Sequence, residues 1–331
     1  MIGQNVLVTG GTGSFGVALI GALLARPDGP AQIVSVSRNA AKRYELEQRY
    51  PDPRLIVVPG DVRIDSDLTA AVNGRMIDII IHAAAEKHVP TGEHHREYVW
   101  STNVDGAAHV IALARRCGAQ RVVALSTDKA CDPINAYGES KREAERLFLA
   151  ADDDPYDRCR YTIVRYGNVC GSSGSVMPLF VRQRAAGVLT VTDRRMSRYF
   201  MSLSDDSDIG VYQEPRGVRV WSAVGFVAWA LAHMNGGEIF VPRLPSATIL
   251  DLAESMAQGA TVIETGIRPG EKLHEDLISA SEAERCYDTG AEVYAILSAD
   301  RQPRPGWVRV PHGWRYHSGQ YPQPIRYEVH A

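Results

Sequence analysis

Short apolar runs alternate with helical patterns through the first half of the chain. Residues 5–9, 33–37, 55–59, 76–82, 121–126 and 161–165 are β-rich runs dominated by aliphatic side chains. Between them, residues 17–25 and 40–49, a long stretch that includes 104–116, and residues 136–150 have helical spacing. Near-continuous apolar strands alternating with helices predict an α/β core, a parallel sheet covered by helices on both faces. Ligands of such sheets sit at the carboxyl ends of the strands. After about Asn168 the pattern loosens, Pro, Gly and Arg become frequent, and the elements shorten. A smaller mixed lobe is expected there, with a strand at 238–241 and helices at 249–258 and 281–288. Residues 301–331 are rich in Pro, Gly, Tyr and His and read as irregular structure on the body, or as partly mobile chain. The expected division is 1–168 for the core, 169–300 mainly for a substrate-binding lobe with returns to the core, and 301–331 for the tail. No internal repeat is visible.

Composition narrows the class of function. The chain has 331 residues, 45% hydrophobic and 23% charged, enough for one large core and a lobe. A formal net charge of -3 gives no footing for a nucleic-acid partner or an anionic membrane, yet permits a local arginine cluster around a phosphorylated small molecule. The longest apolar stretch, 223–234, contains His233 and falls short of the ~18 residues of a membrane span. The first residues lead straight into a strand and leave no room for a signal peptide, so a cytoplasmic protein is expected. Cys117, Cys131, Cys159, Cys170 and Cys286 lack C-x-x-C or metal-like spacing and read as unpaired thiols.

Gly10, Gly13 and Gly16 are spaced G-x-x-G-x-x-G, directly after a strand and at the start of a helix. The first glycine permits a tight turn and the second lets backbone approach a pyrophosphate. The third allows close helix–strand packing, with the phosphate charge on the helix N-terminus. This context marks a Rossmann-type dinucleotide site, in which Thr12, Ser14 and Phe15 line the turn. NAD-preferring sites end the second strand on Asp or Glu. Here that stretch reads Val36-Ser37-Arg38-Asn39 with Lys42 and Arg43 beyond, so Ser37, Arg38 and Lys42 favour the 2′-phosphate of NADP, with NAD as the alternative. Arg38 could equally be a solvated side chain stacking on adenine. Asp61 and Val62 would meet the adenine edge, and Ala83, Ala84 and Ala85 would floor the cofactor.

Tyr137 and Lys141 are four apart and share one helical face. A phenol with an ordinary pKa near ~10 is a poor base at neutral pH. A nearby ammonium and a cationic ring favour its phenolate, which suits hydride-transfer chemistry. Thr127, Asp128 and Lys129 close the fifth strand. Alcohol oxidation needs only the Tyr, the Lys and a hydroxyl donor such as Thr127. An added carboxyl and amine imply further proton transfers, of which water elimination beside a new ketone is one. Asp128 capping the turn and Lys129 in a plain salt bridge remain the simpler alternative.

These residues resemble the UDP-N-acetylglucosamine 4,6-dehydratases, extended short-chain dehydrogenases of bacterial surface-sugar biosynthesis. The matching strings include Thr9 to Gly16, His82-Ala83-Ala84-Ala85 with Lys87-His88-Val89-Pro90, Thr102-Asn103-Val104, Ser126-Thr127-Asp128-Lys129-Ala130 and Pro133 to Gly138. Val164 to Val169, Gly174-Ser175-Val176 and Gly266-Ile267-Arg268-Pro269-Gly270-Glu271-Lys272-Leu273-His274-Glu275 complete the set, which runs to about Leu277. The resemblance implies C4 oxidation of a UDP-sugar by a tightly held dinucleotide that is regenerated each turnover. Tyr137 would take the hydroxyl proton, Lys129 the C5 proton, and Asp128 would protonate the departing C6 hydroxyl. It implies a UDP-4-keto-6-deoxy-N-acetylhexosamine product. C5 is inverted in the shorter branch that lacks a membrane segment, which this chain fits. It also implies that Asn168, Ser175, Val176 and Pro178 line the sugar and nucleotide. Arg195, Arg198 and Arg268 would meet the diphosphate, with Glu271 on the uridine ribose and Lys87 and His88 beside the sugar. A homo-oligomer is the expected assembly.

Three departures stand out. Glu86 replaces an aliphatic residue near the presumed sugar pocket, where a buried carboxylate would need a partner. Residues 202–223 contain an apparent insertion, 205–220, that reads as a surface loop covering the pocket or altering subunit contacts. Residues 91–100, with His94, His95 and Trp100, depart from a segment often involved in subunit contacts; no spacing there requires a metal, and none is expected. A nucleotide-sugar 4-epimerase, or a 5,6-dehydratase of a sugar or nucleoside-antibiotic pathway, is the nearest rival. A non-catalytic dinucleotide-binding regulatory protein is the remote one, and the presence of Tyr137, Lys141 and Asp128 argues against it.

Overall fold

The computed structural model describes residues 3–172, 174–205, 209–213, 218–219, 221–257, 259–320 and 325–329. Six parallel strands form its centre: β1 (Asn5–Thr9), β2 (Gln32–Ser37), β3 (Leu55–Pro59), β4 (Ile79–His82), β5 (Arg121–Thr127) and β6 (Arg160–Tyr166). They lie in the order β3-β2-β1-β4-β5-β6. Val6, Leu7 and Val8 are fully buried, as a strand covered on both faces must be, which is why β1 lacks a period of two. The helices between the strands are α1 (Ser14–Leu24), α2 (Ala40–Arg49), α3 (Asp65–Val72), α4 (Val89–His94), α5 (Arg96–Trp100), α6 (Gly106–Cys117) and α7 (Ala136–Asp153). The order reverses at β1, so a crevice opens beyond the carboxyl ends of β1 and β4, where doubly wound sheets hold ligands.

Chain from the second half extends this sheet. Glu238–Pro242 pairs in parallel with β6, and Val293–Leu297, Cys286–Asp288 and Val308–Arg309 continue it in antiparallel fashion. The lobe has a separate apolar cluster that includes Met177, Phe180, Leu189, Phe200 and Leu252. Around it lie the strands Asn168–Val169, Ser197–Met201 and Ser246–Thr248 and the helices Val176–Arg184 and Ile249–Met256.

Three expectations are corrected. Residues 281–288 are no helix: a 3-10 turn at Glu282–Arg285 leads into a strand of the main sheet. Glu282, polar in the sequence, faces inward because it pairs with the buried Arg165. The tail is not irregular throughout, since Val308–Arg309 joins the main sheet and Tyr316–His317 pairs with Asp276–Ile278. The insertion is not simply a loop: Ile209–Gln213 is the middle strand between Val218–Arg219 and Ile325–Val329. Residues 206–208, 214–217 and 220 of the insertion lie outside the described residues. In each case the partner strand is remote in sequence, and a local pattern does not register it.

Candidate active site

Gly10 follows β1 with φ +72°, and a Cβ there would lie 2.8 Å from the Ala84 Cα. Only glycine lets this turn lie against the end of β4. Gly16 does the same within the turn, where a Cβ would come 2.5 Å from the Gly11 Cα. Gly13 is the N-cap of α1 and contributes no side-chain cap, which leaves room at the helix start for an anion. Thr12, Ser14 and Phe15 lie on the same turn. The Thr9 hydroxyl bonds His82 Nδ1 at 2.8 Å and accepts the Ala84 N–H at 3.3 Å, tying the two strand ends together. Burial and the nearby Lys141 ammonium push His82 down to about 3, so it stays neutral. Ala83 and Ala85 flank Ala84 at this strand end.

At the end of β2 the Ser37 hydroxyl is buried with no hydrogen-bond partner. Arg43 donates to the Ser37 and Arg38 carbonyls at 2.9 and 2.7 Å. Arg38 donates to the Tyr98 hydroxyl at 2.9 Å and lies 3.7 Å from Asp61. Lys42, in the first turn of α2, is exposed. Asp61 is less available than its sequence position implies. Arg63 clamps its carboxylate at 2.6 Å and, against the opposing effect of burial, holds it below the usual carboxylate range. The Val62 carbonyl bonds the His109 ring at 2.8 Å. An orphaned hydroxyl, a glycine cradle and a helix start with no side-chain cap together fit a dinucleotide.

The residues expected to react lie together at the end of β5. The Thr127 hydroxyl donates to Asp128 Oδ1 at 2.8 Å and Lys129 Nζ donates to the same oxygen at 3.0 Å. Asp128 Oδ2 is buried without a partner. Tyr137, in the first turn of α7, is buried; burial pushes its phenol up to about 12, against the pull of the Lys129 charge and a Thr127 hydrogen bond. Lys141 Nζ donates to the Leu125 carbonyl at 2.7 Å, and burial pushes it down to about 8, with Glu145 opposing. For Lys129, burial acts downward but Asp128 and Glu275 outweigh it, so the ammonium is held above its ordinary range. Gly138 has to be glycine, since a Cβ would strike the Lys129 carbonyl. Asn135 caps α7 by accepting the Gly138 N–H at 2.7 Å and donates to the Gly270 carbonyl at 2.7 Å. This bond ties the Arg-Pro-Gly-Glu-Lys string to the catalytic helix.

Glu86 has the partner its position called for: Oε1 bonds His88 Nδ1 at 2.7 Å and the His88 N–H at 3.1 Å. Burial pushes the neighbouring Lys87 amine down, with Glu86 opposing. A Cβ on Gly174 would lie 3.4 Å from His88 Nε2, so the stretch holding Ser175 comes up against His88. Ser175 is the N-cap of Val176–Arg184, with its hydroxyl buried and unpartnered. Asn168, Val176 and Pro178 are half-buried.

The three arginines differ. Arg195 is exposed and engaged by Asp193 at 2.7 Å. Arg198 is buried, donates to the Ser197, Lys272 and Leu273 carbonyls, and faces Glu275 at 3.9 Å. Arg268 is exposed and lies 3.8 Å from the half-buried Glu271. Residues 91–100 form α4 and α5, and Glu93 Oε1 accepts the Ala136 N–H at 3.1 Å at the head of α7. Among the described residues, no group of three or more His, Cys, Asp or Glu is placed to hold a metal, and no helix is long and apolar enough to cross a membrane.

Four residues of the site carried no role in the sequence reading. Asn103, in a π-helical turn at Ser101–Asp105, holds both main-chain groups of Glu86 and donates to the Ser140 hydroxyl at 2.9 Å. Arg165 is buried and pairs with Glu145 at 2.6 Å and Glu282 at 2.8 Å beneath the reacting centre. Glu145 also accepts from Ser126 at 2.6 Å. Its spacing of four from Lys141 was the available signal. Glu275, the fourth, lies 3.4 Å from Lys129.

A model of the family described as polysaccharide biosynthesis protein matches residues 6–215 and 217–296. The chain belongs to this family. A Campylobacter jejuni relative, UDP-N-acetylglucosamine 4,6-dehydratase (inverting), is 40% identical over 288 residues, covering 86% of this chain and 80% of its own. A Rickettsia bellii relative, UDP-glucose 4-epimerase, is 35% identical over 298 residues, covering 87% and 82%. Among solved structures, Pen from Bacillus thuringiensis superposes with TM-score 0.86 at 30% identity over 97% of this chain and 94% of that one. DesIV, a dTDP-glucose 4,6-dehydratase from Streptomyces venezuelae solved with NAD bound, gives TM-score 0.67 at 26% identity over 82% and 87%. The doubly wound sheet with its lobe is therefore the architecture of family members and of nucleotide-sugar enzymes of known structure.

Proposed function

We propose that this family member is a UDP-N-acetylglucosamine 4,6-dehydratase that inverts C5 and makes a UDP-4-keto-6-deoxy-N-acetylhexosamine. The observation that carries the reading is the pair of the buried Asp128 and the half-buried Lys129, 3.0 Å apart and next to Tyr137, a proton-transfer set beyond what alcohol oxidation needs. The 40% identity to the C. jejuni dehydratase supports it. A dinucleotide held on the Gly10–Gly13–Gly16 turn would accept a hydride from C4 and return it to C6. Tyr137 takes the C4 hydroxyl proton, with the Lys129 charge favouring its phenolate and Thr127 beside it. Lys129 takes the C5 proton, made acidic by the C4 ketone. Asp128 delivers a proton to the leaving C6 hydroxyl from Oδ2, the oxygen that neither Thr127 nor Lys129 occupies. Lys141, anchored on the Leu125 carbonyl, is the residue we assign to orient the cofactor ribose.

The orphaned Ser37 hydroxyl, with Arg38 and the nearby Arg43 and Lys42, supports NADP as the resident dinucleotide. Arg268 and Glu271, with Arg195 at the exposed rim, are the residues we assign to the diphosphate and ribose. Glu86, Lys87 and His88 with Asn168 and the Ser175, Val176 and Pro178 stretch are assigned to the sugar. A homo-oligomer in the cytoplasm is part of the same reading.

The R. bellii relative keeps 4-epimerisation as the second reading. One experiment separates the two. Purified protein given UDP-N-acetylglucosamine in deuterated water should yield a 6-deoxy-4-ketosugar carrying deuterium at C5. Unlabelled 4-epimers with C6 still hydroxylated would reject the dehydratase.

A further inference from the structure

The ammonium of Lys129 does not lie against Asp128 alone. Glu275 Oε1 is 3.4 Å away on its other side, and Glu275 is 2% exposed. Among the described residues this carboxylate also faces Arg198, whose Nε is 3.9 Å from Oε1, and Lys272, whose Nζ is 3.9 Å from Oε2, while Asp128 beyond Lys129 acts on it in the opposite sense. Neither is closer, because Arg198 spends Nη1 and Nη2 on carbonyls and Lys272 donates to the Cys131 carbonyl at 2.8 Å. Oε2 is buried with no hydrogen-bond partner. The main chain holds the residue firmly: its N–H donates to the Ser318 hydroxyl at 2.9 Å, and its carbonyl accepts the Ser318 N–H at 2.9 Å.

This arrangement poses a problem for any base role of Lys129. An amine held between the Glu275 carboxylate and Asp128 is protonated, and an ammonium takes no proton from carbon. We propose that Glu275 is the positioning residue that resolves it, taking the Lys129 proton so that the neutral amine can act on C5. The proposal rests on the dehydratase reading and deepens it. The Nζ–H bond breaks and an Oε1–H bond forms, leaving a lysine lone pair and a neutral carboxylic acid. Burial disfavours both charges and so narrows the gap between the ion pair and its neutral tautomer. Burial does raise the Glu275 carboxyl above its ordinary range, with Lys129 opposing. The amine then forms an N–H bond with the C5 proton while the C5–H electron pair becomes the C5=C6 bond. Hydroxide leaves C6 as water with the proton of a neutral Asp128 carboxyl, bound at Oδ2, and the proton that Tyr137 took from the C4 hydroxyl restores that carboxyl. No net proton enters or leaves the Lys129–Glu275 pair in the first transfer, so the base form is reached without help from solvent.

That last point makes the idea testable by a pH profile. In the full-length wild-type protein, C5 deuterium exchange should be independent of pH across the range in which the pair holds one proton. It should fall on the acid side once the pair holds two protons, with Lys129 an ammonium and Glu275 a neutral acid. In Glu275→Gln the amine has to lose its proton to solvent. Exchange should drop about 100-fold at about pH 7 and climb about tenfold per pH unit. C4 oxidation, read as cofactor reduction in a single turnover, should change far less. Glu275→Asp should restore the flat profile at reduced rate, and Glu275→Gln should add nothing to the loss already present in Lys129→Ala. A flat profile in Glu275→Gln, or an equal loss of both steps with no recovery in Glu275→Asp, would overturn the proposal. Absence of C5 exchange in the wild type would instead reject the dehydratase reading itself.

Discussion

The two sides of the crevice are built by opposite means. The turn assigned to the pyrophosphate is nearly free of functional side chains: glycines at 10, 13 and 16, alanines at 83–85 and a helix start form it, and what it admits depends on how closely backbone can approach. The reacting side is dense with buried charge, with Asp128, Lys141, Glu145, Arg165, Arg198 and Glu275 each less than a tenth exposed. One side therefore tolerates no added atom, and the other no unbalanced charge. Substitutions should sort the same way.

The largest effect belongs to the backbone side. Gly10→Val places side-chain atoms where a Cβ already comes 2.8 Å from Ala84 and strains a φ of +72°. Cofactor binding, followed by fluorescence titration, should be lost. Lys129→Ala comes next: it should bind the dinucleotide as the wild type does yet lose C5 exchange by about 1000-fold, the scale of a missing general base. Glu145→Gln leaves Arg165 with one fewer counter-charge in a buried network. Denaturant unfolding should show a loss of about 3 kcal/mol, with the cofactor site intact. Arg268→Ala, at an exposed position, should raise KM for the nucleotide sugar about tenfold and leave kcat nearly unchanged.

The smallest effect is a slope. Burial lowers Lys141 from 10.5 to about 8, so between those values the unfolded chain binds a proton that the folded chain does not. The contribution of this lysine to stability therefore rises with pH across that window. The difference in unfolding free energy between wild type and Lys141→Met should grow in favour of the wild type from about pH 8 to pH 10. A difference that stays constant would mean that Lys141 is not held at a lowered pKa.

The same contrast explains what the sequence revealed. Backbone devices leave local signatures, and the strand–glycine–helix pattern at 5–25 was legible because β1, the turn and α1 are contiguous. So was the four-residue spacing of Tyr137 and Lys141 on one helix. Charge networks close across long distances in sequence. Arg165 meets Glu282 from 117 residues away, and Lys129 meets Glu275 from the far end of the matched string. Glu275 stood in a quoted motif and still carried no role, since nothing local says which face it presents. The 281–288 segment failed for a related reason, because the ion pair that turns Glu282 inward is made by a residue on β6. α3 was missed although Asp65 and Asp67 in its first turn and the buried Leu68, Ala71 and Val72 give the charge and spacing of a short helix.

The central claim is that the Asp128–Lys129 pair turns a dehydrogenase-type first step into an internal redox dehydration. NMR of the product formed from UDP-N-acetylglucosamine in deuterated water tests it most directly. The expected product has a C6 methyl group, a C4 ketone and deuterium at C5, with cofactor regenerated. A product that retains its C6 hydroxyl and carries no deuterium at C5 would contradict it.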